Sequence, residues 1–213
     1  MKKRNIIEAI SFTVAFIIYT LLVKFVDVKP IGPNGSKVGF ATMNKWFMNI
    51  AKENHFFYKL SELLGYIILL LVLIYGCIGL YQLIKRKSLF KIDREIIVLG
   101  IFYVVVLAFY VLFDKVVINY RPVLIDGVLE PSYPSSHTML ALCVGLSSLI
   151  VSKSYFNKKY IDKINIVTCV LIGLIVAGRI LSGVHWLSDI FGGVILSCAL
   201  IGIFKMFYEV EKK

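Results

Sequence analysis

Charge is scarce in this sequence. Only 17% of the 213 residues are charged, whereas 59% are hydrophobic, and the mean hydropathy is +0.83. A soluble globular domain has about 25% charged residues, so this composition excludes an ordinary soluble domain and favours an integral membrane protein. Internal repeats and low-complexity tracts are not evident, so we expect a single membrane domain over residues 1–213.

Cysteine is also used sparingly. No CxxC pair and no disulfide framework can be recognised in the sequence. Each cysteine lies within an apolar run, where it is expected to behave as a small hydrophobic residue. The four cysteines are Cys77, Cys143, Cys169 and Cys198.

Long apolar runs are abundant, by contrast. A bilayer core requires about 20 mostly apolar residues per helix, and six candidate runs begin at Ile6, Leu63, Ile96, Thr138, Ile164 and Ile190. The fourth and fifth are long enough only if flanking polar residues continue the helix. The first run lacks a small-x-small cleavage pattern, so we interpret it as a retained helix. The sequence predicts an all-α integral membrane bundle of six transmembrane helices.

The net charge of +11 is distributed unevenly. Basic residues cluster at 2–4, 85–94, 153–163 and 211–213, which share one side if six helices alternate in direction. Basic loops stay in the cytoplasm, so both termini are predicted to be cytoplasmic in a multi-pass plasma-membrane protein. The 28–60 loop also carries lysines, which makes the asymmetry partial. Because membrane topology accounts for the positive charge, no nucleic-acid partner is needed to explain it.

One polar segment on the opposite, extracytoplasmic side joins the fifth and sixth runs. His185 and Asp189 are four residues apart, so on a helix the carboxylate could orient the imidazole and leave its other nitrogen unprotonated. Arg179 could add a planar fork of donors, which suits phosphate. The alternative interpretation of these residues is structural. Arg179 would extend to the membrane interface, His185 and Trp186 would belong to an aromatic belt, and Asp189 would cap the last helix.

A second polar segment re-enters the membrane through Pro134-Ser135-Ser136-His137. A helix start offers backbone N–H groups to an anion, and the serine hydroxyls can add donors. Ser135 or Ser136 could equally be an ordinary N-cap. Arg121 lies upstream on the same side, which makes His137 less easily explained as an interfacial residue.

Taken together, these residues describe a phosphate site with a nucleophile, a proton donor and an orienting carboxylate. A metal site is not indicated, because the acids on this side are scattered rather than set at ligand spacing. These acids are Asp114, Asp126, Glu130 and Asp189. We therefore expect no metal and no other cofactor.

The order of these motifs resembles the phosphatidic acid phosphatase type 2 superfamily of membrane lipid phosphatases, which shares its fold with soluble vanadium haloperoxidases. The motifs are a lysine before Arg-Pro, then Pro-Ser-x-His, then Arg-x5-His-x3-Asp. They lie within residues 115–189, and the resemblance covers a phosphatase-like core of about 60–205.

The resemblance implies a role for each matching residue. His185 would attack phosphorus and form a phosphohistidine, with Asp189 orienting it, and His137 would protonate the leaving group and later activate water. No metal would be required. The phosphate oxygens would be held by Arg121, Arg179, Ser135, Ser136 and Lys115.

This chain departs from the family pattern at three places. Lys115 has five residues before Arg121 where the family has six, so the register from Arg121 puts Asp114 at the lysine position. Ser136 replaces a glycine, which is a mild change if its N–H remains available. Gly178 replaces a common serine, which removes one hydroxyl contact.

The resemblance implies a lipid phosphate or diphosphate substrate met at the outer membrane surface. Undecaprenyl diphosphate is the first candidate, with phosphatidylglycerophosphate and phosphatidic acid as alternatives. A non-catalytic lipid-binding or transport relative, and a phosphotransferase, are the rival classes. The 28–60 extracytoplasmic loop is read as a turn and an interfacial segment, either a spacer on the headgroups or a gate for lipid. The sequence leaves the oligomeric state open.

Overall fold

Seven α-helices make up most of the protein in a computed structural model that describes residues 2–209. Between residues 2 and 209 there is no β-strand, only three isolated antiparallel bridges. The predicted basic segment at 211–213 lies outside the described residues. The helices are α1 (Lys2–Phe25), α2 (Ala41–Ile50), α3 (His55–Arg86), α4 (Arg94–Lys115), α5 (Ser136–Tyr155), α6 (Lys158–Leu181) and α7 (Leu187–Tyr208).

Six of these helices are long and apolar enough to cross a bilayer, which confirms the predicted six-span all-α bundle. They are α1 and α3 to α7, and α2 is too short. The fourth and fifth apolar runs reach spanning length because polar residues extend them. Helix α5 begins at Ser136 and has 20 residues, and α6 begins at Lys158 and has 24.

Helices α5 and α7 form the centre of the bundle. In each of them 56% of the most apolar 18-residue window is buried, against 11–28% in the other spans. The two helices approach closely at Gly193, where a Cβ atom would lie 2.9 Å from the carbonyl oxygen of Ser135. Only glycine permits this contact, which places the first turns of α5 and α7 side by side.

The connections 26–54, 116–135 and 182–186 meet at one end of the bundle, which we call the site end. The backbone N–H of Asn54 donates to the carbonyl of Ser182 at 2.9 Å, and that of Gly39 donates to Oδ1 of Asn119 at 3.2 Å. The opposite, basic end contains the 87–93 and 156–157 connections. There Nδ2 of Asn5 donates to Glu209.

Helix α2 lies within the 28–60 loop, for which the sequence predicted an interfacial segment. Its outer face exposes Trp46 and Ile50 by 61% and 66%. Its inner face carries the fully buried Asn44, which donates to Oγ of Ser188 at 2.9 Å and accepts from the N–H of Ser188 at 3.1 Å. Helix α2 thus ties the loop to the first turn of α7.

Candidate active site

A cavity of about 190 Å³ opens at the site end between α4, the 116–135 connection and the start of α5. Aromatic side chains of α4, namely Phe109, Tyr110 and Phe113, form one part of its lining. Its polar lining includes Asp114, Arg121, Glu130, Ser136 and His185. The cavity therefore combines an aromatic wall with a charged lining.

His185 lies in the 182–186 connection and is only 1% exposed. Its Nε2 is 3.3 Å from Nη1 of Arg121, and its Nδ1 is 3.9 Å from Oδ2 of Asp189. A guanidinium group can only donate hydrogen bonds, so Nε2 accepts and the ring proton lies on Nδ1, facing Asp189. The shared helix expected for the pair is absent, because α7 begins after His185, yet the two side chains still face each other.

Asp189 lies in the first turn of α7 and is completely buried. Its Oδ2 accepts from the backbone N–H of Trp186 at 3.1 Å, and its Oδ1 accepts from Nδ2 of Asn119 at 3.0 Å. Asp189 thus acts as the helix cap of the alternative interpretation and also faces the imidazole. These two bonds fix the carboxylate relative to His185.

Arg121 reaches the cavity from the 116–135 connection, and its side chain is 10% exposed. Besides His185, its Nη1 contacts the carbonyl oxygen of Val184 at 3.4 Å, and its Nε is 2.9 Å from Oε2 of Glu130. Val184 and Glu130 therefore hold the guanidinium beside the imidazole.

Arg179 is fully buried near the end of α6. None of its three guanidinium nitrogens has a hydrogen-bond partner among the described residues, although the group lies over the ring of Tyr58 at 5.2 Å from its centroid. A buried cation without hydrogen bonds is costly. Its donors are therefore unsatisfied, although Arg179 is not among the residues that line the cavity.

The start of α5 joins the two predicted motifs. The backbone N–H of Ser135 donates to the carbonyl of Asp189 at 2.9 Å, and Ser136 lines the cavity. His137 faces a separate crevice between α3 and α5, where its ring lies against Gly65 and its Nδ1 has no hydrogen-bond partner in the described part of the chain. The first turn of α5 therefore separates the cavity from His137.

Electrostatics favour a neutral His185. Burial first, and then the positive charges of Arg121 and Arg179 and the proximity of His137, hold the pKa of His185 well below its usual 6.5. A neutral imidazole with an unprotonated Nε2 is the form required of a nucleophile.

Of the predicted site residues, Arg121, Ser136 and His185 line the cavity, whereas Asp189, Ser135, His137, Arg179 and Lys115 do not. Lys115 is the one exposed residue among those that do not. Its side chain is 77% exposed, and its Nζ pairs with Oδ2 of Asp114 at 2.9 Å. Asp114, rather than Lys115, lines the cavity. The shorter spacing to Arg121 thus places an acid where the family pattern has a lysine.

Two residues at the site were not predicted to take part in it, namely Asn119 and Glu130. Asn119 is 1% exposed and bonds to Asp189, and Glu130 pairs with Arg121. The sequence placed Glu130 on the same side of the bundle as Arg121 but gave no indication that the two pair. Within residues 2–209, no three His, Cys, Asp or Glu side chains are grouped to hold a metal ion.

Comparison with known proteins supports the motif resemblance. The sequence model of the PAP2 superfamily matches residues 115–212, which contain the predicted site residues. No curated protein matches the chain. The fold is similar to the crystal structure described as the first transmembrane PAP2 type phosphatidylglycerolphosphate phosphatase from Bacillus subtilis, with a TM-score of 0.61 and 20% identity. This match covers 97% of this chain and 98% of that one, so the transmembrane PAP2 fold and the predicted resemblance are confirmed.

Proposed function

We propose that this protein of transmembrane PAP2 fold is a metal-independent lipid phosphatase that uses His185 as its nucleophile. The observation that carries the proposal is the contact between Nη1 of Arg121 and Nε2 of His185. It places an unprotonated nitrogen beside a cation that can bind phosphate, with Asp189 on the other side of the ring. A degenerate relative would have little chemical reason to retain both histidines and Asp189 in this order.

The reaction has two steps. Nε2 of His185 attacks phosphorus, the bond to the leaving oxygen breaks, and that oxygen takes the electron pair and a proton. The family resemblance assigns this proton to His137, whose ring would have to reach the leaving oxygen from the crevice between α3 and α5. Water, deprotonated by His137, then attacks phosphorus, the P–N bond breaks, and inorganic phosphate leaves. Arg121, Arg179, Ser135 and the backbone at Ser136 stabilise the charged phosphoryl oxygens.

We place the reaction on the extracytoplasmic face. The cavity opens at the site end, whereas the basic segments 85–94 and 153–163 lie at the opposite end. Because basic loops are retained in the cytoplasm, the site end faces outward. The phosphate of a lipid would meet the cavity at the headgroup level while its chains remain in the bilayer.

Three lipids fit this chemistry. Undecaprenyl diphosphate is the candidate that the sequence favoured, and phosphatidylglycerophosphate and phosphatidic acid are the alternatives. All three are lipids that carry a terminal phosphate. The similar solved structure is described as a phosphatidylglycerolphosphate phosphatase, so that lipid belongs in any substrate panel.

The decisive experiment is phosphate release from these three lipids by the detergent-purified protein in the presence of EDTA. We expect His185→Ala to lose at least about a thousandfold in rate, whereas His55→Ala, at an exposed position outside the cavity, should match the wild type. Activity that requires a divalent metal, or that persists in His185→Ala, would overturn the mechanism. Absence of hydrolysis of all three lipids by the wild type would favour the non-catalytic class.

A further inference from the structure

Two carboxylates share the cavity with Arg121 and His185. Asp114 comes from the last turn of α4, and Glu130 comes from the 116–135 connection. Neither is needed for attack on phosphorus. A phosphate site with two acids in its lining must limit how much negative charge a substrate brings.

Glu130 already pairs with Arg121, the cation that is proposed to bind phosphate. Its Oε2 lies 2.9 Å from Nε of Arg121, and the arginine side chain is only 10% exposed whereas that of Glu130 is 40% exposed. A phosphate oxygen that binds Arg121 must displace this carboxylate or lie beside it. Binding therefore gains from Arg121 but meets repulsion from Glu130.

Asp114 adds a second negative group on the α4 side. Its ion pair with Lys115 involves a lysine side chain that is 77% exposed, and solvent screens such a pair strongly. The carboxylate lines the cavity, whereas Lys115 is not among the lining residues. A substrate in the cavity therefore meets the acid more closely than the lysine.

The strength of this repulsion by Asp114 and Glu130 depends on how many adjacent phosphates the substrate has. A lipid monophosphate places its one phosphate on Arg121 and an uncharged chain elsewhere. A lipid diphosphate must also place a second phosphate within a few ångströms of the first, where the charge meets the remaining lining. Repulsion of a rival ligand is a common source of specificity.

We propose that Asp114 and Glu130, the acidic pair, make the site select lipid monophosphates over lipid diphosphates. This inference rests on the proposed function and narrows its substrate class. It disfavours undecaprenyl diphosphate and favours lipids whose reacting phosphate has no phosphate directly attached.

A matched pair of substrates isolates the effect. Farnesyl phosphate and farnesyl diphosphate have the same chain and differ only in the second phosphate. For each protein the kcat/KM for the monophosphate is divided by that for the diphosphate, and variants are compared by this ratio. We expect Asp114→Asn with Glu130→Gln to lower the ratio about tenfold, mainly through KM for the diphosphate, and high salt to reduce the difference.

Two further variants complete the comparison. Asp126→Asn removes an exposed acid of the same connection that does not line the cavity, and asparagine tolerates its φ of 48°, so the ratio should not change. Lys115→Ala removes the counter-charge of Asp114, so the ratio should rise. An equal loss on both substrates would instead show that Lys115 holds the reacting phosphate.

The outcomes separate this inference from the proposed function. If the wild type hydrolyses both substrates and the double variant leaves the ratio unchanged, the selectivity is wrong and the phosphatase stands. If the wild type hydrolyses neither, the proposed function is wrong.

Thermal stabilisation by inorganic phosphate compared with pyrophosphate tests the acidic pair without turnover. The wild type should be stabilised more strongly by phosphate, and the double variant should lose that preference. Equal stabilisation of the wild type by the two anions would overturn the inference. If the double variant fails to fold, the single variant Asp114→Asn is compared with the wild type instead.

Discussion

Nη1 of Arg121 lies 3.3 Å from Nε2 of His185, so the cation that would bind phosphate holds the atom that would attack it. The contact fixes the tautomer of the imidazole before any substrate is present, because the guanidinium can only donate. It also means that phosphate and nucleophile compete for one donor of Arg121. Substrate binding has to exchange this contact for bonds to phosphoryl oxygens, which frees the lone pair of Nε2.

The neutral state of His185 predicts a dependence of stability on pH. Its pKa is well below 6.5 in the folded protein, whereas the unfolded chain binds a proton below about pH 6.5. Stability is thus fully retained above that pH and falls as pH decreases, by about 1.4 kcal/mol per unit until the folded pKa is reached. Thermal unfolding between about pH 8 and 5 should show a smaller acid loss in His185→Asn than in the wild type. Parallel curves would contradict this prediction.

Replacing Asp189 with Asn should abolish most activity without preventing folding. The carboxylate faces Nδ1 of His185 at 3.9 Å. Its negative charge stabilises the positive charge that the imidazole acquires when it attacks phosphorus. We expect kcat to fall by about 10³- to 10⁴-fold, with a much smaller change in KM. Asp162→Asn, at an exposed site on the basic end, is the matched control. A shift confined to KM would show that Asp189 acts on binding instead.

Asn119 is expected to position Asp189 rather than to touch substrate. Its Nδ2 donates to Oδ1 of Asp189 at 3.0 Å, and its Oδ1 accepts from the N–H of Gly39 at 3.2 Å. Asn119→Ala should lower kcat about ten- to hundredfold, as loss of an orienting partner does elsewhere, and should leave KM nearly unchanged. A purely structural role would lower thermal stability and leave the kcat of the folded fraction unaltered.

The order of residues predicted the bundle and part of the site. Apolar runs fix where helices cross a membrane, and the spacing of His185 and Asp189 brought them together even though a helix begins between them. The position of Lys115 is explained by helix phase. One residue along a helix turns the side chain by about 100°, so the shorter spacing presents Asp114 to the cavity.

Other contacts depend on how connections fold over one another. Asn119 meets Asp189 across 70 residues of sequence, and Asn44 meets Ser188 across 144. Neither residue belongs to a recognisable motif. Asn119 lies in a loop, where an asparagine is ordinarily a turn residue, and Asn44 lies within helix α2. Such partners emerge only when the three connections of the site end are packed together.

Gly178 is required for packing between α6 and α3. A Cβ atom there would lie 2.8 Å from Cβ of Ser61 and 3.4 Å from the carbonyl oxygen of Phe57. Introducing the serine common in the family should therefore cost about 1–3 kcal/mol of stability instead of adding a phosphate contact. Gly173→Ser on the same helix has no neighbour within 4 Å and is the control. Thermal unfolding measures the difference, and Ser61→Gly should partly restore Gly178→Ser; equal stability of the two serine variants would contradict the packing role.

Arg179 should stabilise the phosphate complex at the expense of the empty protein. Its guanidinium is fully buried, and its three nitrogens lack hydrogen-bond partners among residues 2–209. Replacing a poorly compensated buried charge with an apolar side chain of similar length can stabilise a protein by about 1–4 kcal/mol, so Arg179→Met should unfold at a higher temperature than the wild type without ligand. Inorganic phosphate at a hundred times its Kd should stabilise the wild type by about 2.7 kcal/mol and leave Arg179→Met unchanged. A variant that is less stable when empty, yet still stabilised by phosphate, would show that Arg179 supports the fold and not the anion.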